Sequence, residues 1–195
     1  MGILSIKTPA TTAPVTLSEA KAQLREVGTA EDTLITALIT AATQEAEQIM
    51  QRAVMPQQWR WVMDAFDTDG DNRISIPTPA RAVASVSYVR ETDGTTVALT
   101  VTTDYLADVR SEFYALVFPA YGTSWPVPRA QPGAVEIVLD VGWADAASVP
   151  QIVKNWILMR VAALFENRAA WTSGEAIFRN QFVDRLLDRW TVATI

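Results

Sequence analysis

The chain has 195 residues, of which 49% are hydrophobic and 19% are charged, and its formal net charge is −6. This length and composition predict a globular protein with a core of its own, built as one domain with an insertion or as two small domains. Because the sequence has no Cys and no His, it excludes disulfides, thiol nucleophiles, Ser-His-Asp triads and Cys- or His-based zinc centres. With a negative net charge, the chain also lacks the overall excess of basic residues that is typical of a nucleic-acid-binding protein.

The N-terminal part predicts an extended arm followed by a helix. Residues 1–15 end in a Thr- and Pro-containing stretch and are predicted to be the arm. Thr16 and Glu19 have the spacing of a capping box, which predicts a helix over residues 17–27. Gly28 is a typical residue to follow the end of such a helix.

A second, longer helix is predicted from about Thr29 to about Arg52. Its apolar residues recur at steps of three and four, which gives one apolar stripe. Pro56 ends any continuation of this helix.

The middle of the chain, residues 57–147, predicts antiparallel strands. Apolar and polar residues alternate over residues 59–66 and 135–141. Asp93 and Gly94 form a typical hairpin turn between strands predicted at 82–90 and 95–101. Shorter strands are predicted at 74–76 and 113–118, and residues 121–132 are predicted to be a Pro-rich loop.

Two helices are predicted to close the chain, one over residues 152–168 and an amphipathic one over residues 178–190. The apolar stripe of the last helix consists of Phe178, Phe182, Val183, Leu186, Leu187 and Trp190. The sequence therefore predicts an α+β fold. Residues 16–56 and 148–195 would form a small helical bundle, with residues 57–147 inserted as an antiparallel β-rich subdomain.

Few residues indicate catalytic chemistry. Residues 67–72 (DTDGDN) look like a calcium loop, but the Gly and Glu that such a loop requires are missing from their positions, which favours a polar turn. Two pairs of neighbouring carboxylates, Asp104 with Asp108 and Asp140 with Asp145, leave a carboxylate-dependent hydrolase open as an alternative. Trp59 and Trp61 share a strand face, so they either pack in the core or stack on a sugar, as in a carbohydrate-binding module.

Other residues are typical of contacts with protein partners. The last helix either closes the bundle or docks into a groove of a partner. The Pro-rich loop and the hairpin turn are also typical interaction surfaces. The candidate partner-binding residues are Phe178, Phe182, Leu186, Trp190, Tyr121, Trp125 and Asp93.

A series of short segments between residues 15 and 170 carries a family resemblance. The segments are 15–25 (VTLSEAKAQLR), 31–35 (EDTLI), 58–59 (QW), 74–77 (ISIP), 85–89 (SVSYV), 124–126 (SWP), 142–143 (GW), 149–152 (VPQI) and 166–168 (ENR). In their order and spacing they resemble the head–tail connector (adaptor) proteins of long-tailed bacteriophages. The resemblance is to the variety with a β-rich middle, which also occurs in prophages and gene transfer agents.

The resemblance implies a structural role without an enzymatic activity or a cofactor. Such proteins form a ring, usually of twelve copies, that docks beneath the portal protein and extends the DNA channel. The ring provides the attachment surface for the next component, a stopper or tail-completion neck protein, and DNA passes through it without sequence-specific binding. The implied location is the virion neck, with assembly in the host cytoplasm. The sequence itself predicts no membrane association, because it has no run of about 18 apolar residues.

Overall fold

The computed structural model describes residues 2–26, 28–66, 72–166 and 185–192. The elements in chain order are β1 (Ile3–Thr8), α1 (Leu17–Leu24), α2 (Asp32–Met50), β2 (Gln57–Met63), β3 (Ile74–Ile76), β4 (Ala82–Val89), β5 (Thr96–Leu99), β6 (Tyr105–Asp108), β7 (Ala115–Pro119), β8 (Val135–Val141), α3 (Gln151–Glu166) and a C-terminal 3₁₀ helix (Arg185–Trp190). All strand pairs of the two sheets are antiparallel, so the predicted α+β class is confirmed.

The chain divides into two compact units. The β unit comprises Met1–Thr11, Pro56–Gly142 and Val192–Ile195, and the helical unit comprises Thr12–Met55 and Trp143–Thr191. The helical unit thus draws its helices from segments that are far apart in the sequence.

The β unit contains a five-stranded sheet in the order β1-β2-β8-β4-β5. One face is apolar, because Trp59 and Trp61 of β2 lie opposite Leu139 and Ile137 of β8. The other face is polar: Lys7 forms an ion pair with Glu136 at 2.7 Å, and Gln58 donates a hydrogen bond to Asp140 at 2.9 Å. The alternation is clearest in the central strand β8, where Val135, Ile137, Leu139 and Val141 of the apolar face are all buried.

The second sheet of the β unit has three strands in the order β3-β7-β6. Five side chains of one of its faces are buried: Ile74, Ile76, Tyr105, Ala115 and Val117. The registers that place these residues together are Ile74 opposite Val117 and Ile76 opposite Ala115.

In the helical unit, the predicted capping box at the start of α1 is confirmed. The Thr16 hydroxyl accepts a hydrogen bond from the Glu19 backbone N–H at 3.1 Å, and the Glu19 carboxylate accepts one from the Thr16 backbone N–H at 2.6 Å. The helix is shorter than predicted because Arg25 adopts a left-handed conformation, with φ of 57°, and ends it after Leu24.

Apolar packing joins the three α-helices that are described in the helical unit, and ion pairs link their side chains. The buried stripe of α2 consists of Ile35, Ile39, Ala42, Ala46 and Met50, which confirms the predicted periodicity. Lys21 of α1 pairs with Asp32 of α2 at 2.6 Å, and Arg160 of α3 pairs with Glu45 of α2 at 2.6 Å.

Other parts of the chain differ from the prediction. Residues 3–8, within the predicted arm, form strand β1 against β2, and β6 was not predicted. The prediction of an α-helix up to Trp190 is wrong for residues 185–190, which form a 3₁₀ helix. Phe178, Phe182 and all of the 67–72 turn except Asn72 lie outside the described residues.

Candidate assembly surfaces

Asp93 holds the hairpin turn between β4 and β5. Its carboxylate accepts hydrogen bonds from the backbone N–H and the hydroxyl of Thr95, at 3.0 and 2.8 Å, and from Arg90 at 3.0 Å. The hydrogen bonds from Thr95, with a smaller effect of Arg90, lower the pKa of Asp93. Gly94 follows with φ of 71°, a conformation that glycine adopts without strain. The carboxylate therefore shapes the turn.

Trp125 fixes the middle of the 121–132 loop. Its ring stacks on Phe66 with centroids 4.6 Å apart and planes 7° apart. Its indole N–H donates a hydrogen bond to the backbone carbonyl of Asn72 at 3.1 Å. Phe66 in turn contacts Tyr88 of β4, with centroids 6.1 Å apart. The loop is therefore attached to the sheet, and Trp125 is half-buried in this attachment.

The 121–132 loop and the Asp93 turn, predicted separately, are neighbours in the structure. Pro128 forms an isolated antiparallel β-bridge with Arg90, just after the end of β4. The backbone N–H of Arg129 donates a hydrogen bond to the Val89 carbonyl at 2.9 Å. The guanidinium group of Arg129 occupies the space that a Cβ at Gly94 would need. The loop and the turn, named here the loop–turn surface, form one continuous part of the β unit.

Tyr121 is the most exposed aromatic residue of this surface. It lies in a tight turn in which the backbone N–H and the hydroxyl of Thr123 donate to the Ala120 carbonyl, at 3.0 and 2.7 Å. Gly122 supplies the positive φ of 77° that the turn requires. The relative exposure of Tyr121 is 101%, so its ring is available to a partner in full.

The C-terminal 3₁₀ helix packs within the helical unit, on α2 and α3. Trp190 lies edge-to-face on Trp143 with centroids 5.7 Å apart. The guanidinium carbon of Arg52 lies 4.4 Å from the ring centroid of Trp143 and 5.6 Å from that of Trp190. Leu187 is fully buried, whereas the predicted contact residues Leu186 and Trp190 are half-buried. A 3₁₀ helix has three residues per turn, which puts Leu187 and Trp190 on the same side.

Trp59 and Trp61 have packing contacts in the structure. Both side chains are half-buried, and their indole N–H groups are buried. Gly2 lies so close to the Trp61 ring that an added Cβ would overlap it. These contacts agree with the alternative in which both residues are packing residues.

The candidate acids are held by local hydrogen bonds. Asp108 accepts from Arg110, Asp104 from the Thr100 backbone, Asp140 from Gln58 and Asp145 from Ser148. The hydrogen bonds from Arg110 lower the pKa of Asp108 to about 2, and those from Ser148 lower the pKa of Asp145. A general acid for glycoside cleavage requires a raised pKa, whereas the pKa values of Asp108 and Asp145 are lowered.

Neither a metal site nor a membrane span is found in the described ranges. The acidic residues there form no cluster of three or more that could hold a metal ion. None of the helices in these ranges combines the length and the apolarity needed to cross a bilayer.

Sequence reasoning missed a concentration of exposed apolar side chains. Of the ten large apolar residues that are exposed among the described ones, six lie between residues 101 and 127: Val101, Leu106, Phe113, Tyr114, Tyr121 and Val127. Of these six residues, only Tyr121 was predicted as a contact residue. The sequence signal for the others is the apolar composition of the stretch, in which strands were predicted at 95–101 and 113–118 and a loop at 121–132.

The whole fold is found in solved particle necks. Three structures match 99% of this chain and 97% of the matched chain: the "neck of empty GTA particle computed with C6 symmetry" (TM-score 0.75, 19% identity), the "virion of native gene transfer agent (GTA) particle" (0.77, 18%) and the "neck of native GTA particle computed with C12 symmetry" (0.73, 15%). No protein-family model and no curated protein matches the sequence.

This chain therefore shares its fold with chains of gene transfer agent particles. It has the fold of a gene transfer agent neck component along nearly its entire length. The resemblance to the connectors of phages and gene transfer agents that the sequence motifs predicted is confirmed at the level of the fold.

Proposed function

We propose that this protein is a structural, non-enzymatic subunit of the neck that joins head and tail in a phage or a phage-like particle. The observation that carries the proposal is the shared fold: the match to chains of particle necks covers 99% of this chain. The local hydrogen bonds of its candidate acids, and the lowered pKa of two of them, agree with a role without catalysis.

The more specific role that we propose is that of the connector, or adaptor. Copies of the chain form a ring, of twelve when assembled, that docks beneath the portal protein and extends the DNA channel. DNA passes through without sequence-specific binding, in keeping with the net charge of −6. The other side of the ring receives a stopper or tail-completion protein. In the finished particle the protein is located in the virion neck, and assembly takes place in the host cytoplasm.

The loop–turn surface is our candidate for the contact with the next neck component. Trp125 and the Asp93 turn hold the loop in place before any partner binds, which reduces the entropy lost on binding. Tyr121 offers a rigid aromatic side chain that is fully exposed, and such residues are enriched among those that dominate binding energies. The last segment, with Phe178, Phe182, Leu186 and Trp190, stays a candidate for the contact with the portal or a neighbouring subunit.

Deletion of the gene in the producing strain tests the proposed function. We expect DNA-filled heads without tails in electron micrographs, and tailed particles again when the wild-type gene is supplied on a plasmid. Tailed particles in normal yield from the deletion strain would contradict the proposal.

Complementation with Tyr121→Asp tests the loop–turn surface. Since the side chain is fully exposed, the variant is expected to fold with an unchanged Tm but to yield at least about tenfold fewer tailed particles, the factor that corresponds to 1.4 kcal/mol of lost binding. Thr123→Ala, which changes the same turn without removing the aromatic ring, is the matched control. Normal yield with Tyr121→Asp would exclude this residue from the contact.

A further inference from the structure

The outward face of the three-stranded sheet carries apolar residues on β6 and β7, beside the polar Ser75 of β3 and Asp108 of β6, although most of the other face is already buried. Leu106 of β6 lies directly opposite Phe118 of β7. Leu116 is two residues before Phe118 and therefore points to the same side. An antiparallel sheet with one buried face ordinarily carries polar residues on the other, so this second apolar face needs an explanation.

The burial of individual side chains shows which side of the sheet is open, although Leu116 and Phe118 on that side are themselves half-buried. Tyr105 and Val117, which alternate with these residues, are only 3% and 0% exposed, whereas Leu106 is 44% exposed. Phe113 and Tyr114, in the segment that leads into β7, are 44% and 45% exposed. β6 is also an edge strand of its sheet. Leu106, Leu116 and Phe118 are named here the β6–β7 face.

The charge next to this face is already paired. Asp108 points to the same side as Leu106, and the side chain of Arg110 binds its carboxylate at 2.9 and 2.6 Å. A partner that covers the face would therefore meet apolar surface and a neutralised ion pair.

These features fit a second copy of the same chain. Two copies with a net charge of −6 each repel one another, and unpaired like charges at a contact are costly. Identical copies therefore approach best where the surface is apolar and its charges are paired. Interfaces between identical subunits are also more apolar than other protein interfaces.

We propose that the β6–β7 face is an interface between neighbouring copies of this chain. In a ring each copy binds its neighbour through two different surfaces, and this face is one of them. The proposal rests on the proposed function, because it requires that the chain assembles into a ring.

Photo-crosslinking in assembled particles tests this interface. Benzoylphenylalanine is placed at position 106 of the full-length chain, the particles are purified and irradiated, and the adducts are identified by mass spectrometry. The control carries the same group at Ile6, an exposed residue on the edge strand of the other sheet. We expect an adduct at twice the 21.4 kDa mass of one chain, at least about ten times more abundant than from position 6.

The possible outcomes separate the two proposals. If the wild-type chain is absent from the particles, both the proposed function and this interface are wrong. If the chain is present but position 106 links to a different protein, or to none, the interface is wrong and the proposed function stands.

A second variant tests the same face without a crosslinker. Leu106→Asp puts an unpaired charge on the exposed face, so the purified variant is expected to keep the wild-type Tm within about 3 °C, because its side chain is not buried. We expect its incorporation into particles to fall at least about tenfold, whereas Ile6→Asp is incorporated normally. Incorporation of folded Leu106→Asp at the wild-type level would overturn the proposal.

Discussion

Trp190 of the C-terminal 3₁₀ helix packs on Trp143 within the helical unit, and Trp190→Ala tests how much this contact stabilises the subunit. The substitution removes an edge-to-face contact with Trp143, which contributes about 0.5–1.5 kcal/mol. It also removes one of the two rings beside Arg52, whose residue exposure is 8%. The ring of Trp143 is nearer, at 4.4 Å against 5.6 Å, so the share of Trp190 in this cation–π interaction is about 1 kcal/mol.

The free energy of unfolding is therefore expected to fall by about 2 kcal/mol. For a chain of this size, 1 kcal/mol shifts the Tm by about 2–4 °C, which gives a decrease of about 4–8 °C. Thermal unfolding followed by circular dichroism at 222 nm measures this decrease in Tm, because the helices of the helical unit contribute strongly to the signal at that wavelength. Trp190→Phe keeps an aromatic edge and is expected to lower the Tm by less than half as much.

A Tm of Trp190→Ala within about 1 °C of the wild type would refute this reasoning. It would show that Trp190 does not stabilise its own subunit, and the residue would then be free to act as an anchor on a partner. A clear loss of stability would show that Trp190 packs in its own subunit together with the buried Leu187, so that only its exposed part is left for a contact with a partner.

Three further predictions concern the ion pairs and the loop. The pKa of Asp108 is lowered to about 2 from about 3.9 in an unfolded chain, so the ionised carboxylate stabilises the folded protein fully above about pH 4 and loses this effect as the pH falls towards 2. The Tm difference between the wild type and Asp108→Asn should decrease in the same pH range. A Tm difference that does not depend on pH would contradict this prediction. The side chains of Arg160 and Glu45 are 38% and 36% exposed, so their ion pair is expected to be weak. A double-mutant cycle with urea unfolding should give a coupling energy between them below about 1 kcal/mol, and 1 M NaCl should remove it. A coupling energy that persists in 1 M NaCl would contradict this prediction. Trp125→Ala removes the stacking of Trp125 on Phe66, which contributes about 0.5–1.5 kcal/mol. The loop should then be cleaved faster by a protease within residues 121–132. An unchanged rate of cleavage would show that this stacking does not hold the loop in place.

Local signals predicted much of the fold. The alternating run at 135–141 corresponds to β8 residue for residue, because a period of two in the apolar residues is the direct signal of a strand. The capping box at Thr16 and the hairpin turn at Asp93 were also predicted, since their chemistry is contained within a few neighbouring residues. Strand β6, by contrast, has four residues and its first three, Tyr-Leu-Ala, are all apolar, so periodicity could not reveal it.

The contacts that form the candidate surfaces could not be predicted in this way. Arg52, Trp143 and Trp190 are separated by many residues, and only the packing of the helical unit brings them together. The same holds for Arg129 and Gly94, whose contact joins the loop to the turn. The stripe at the C-terminus predicted an apolar side but not its geometry: in a 3₁₀ helix the buried residue is Leu187, and Leu186 is only half-buried.

Electron microscopy of the purified protein mixed with the portal protein from the same genome tests the central claim most directly. If the chain is a connector, class averages will show an additional ring of density on one end of the portal, coaxial with its channel and built from copies of this chain. Portal rings that stay unchanged in the presence of excess, correctly folded protein would contradict the account.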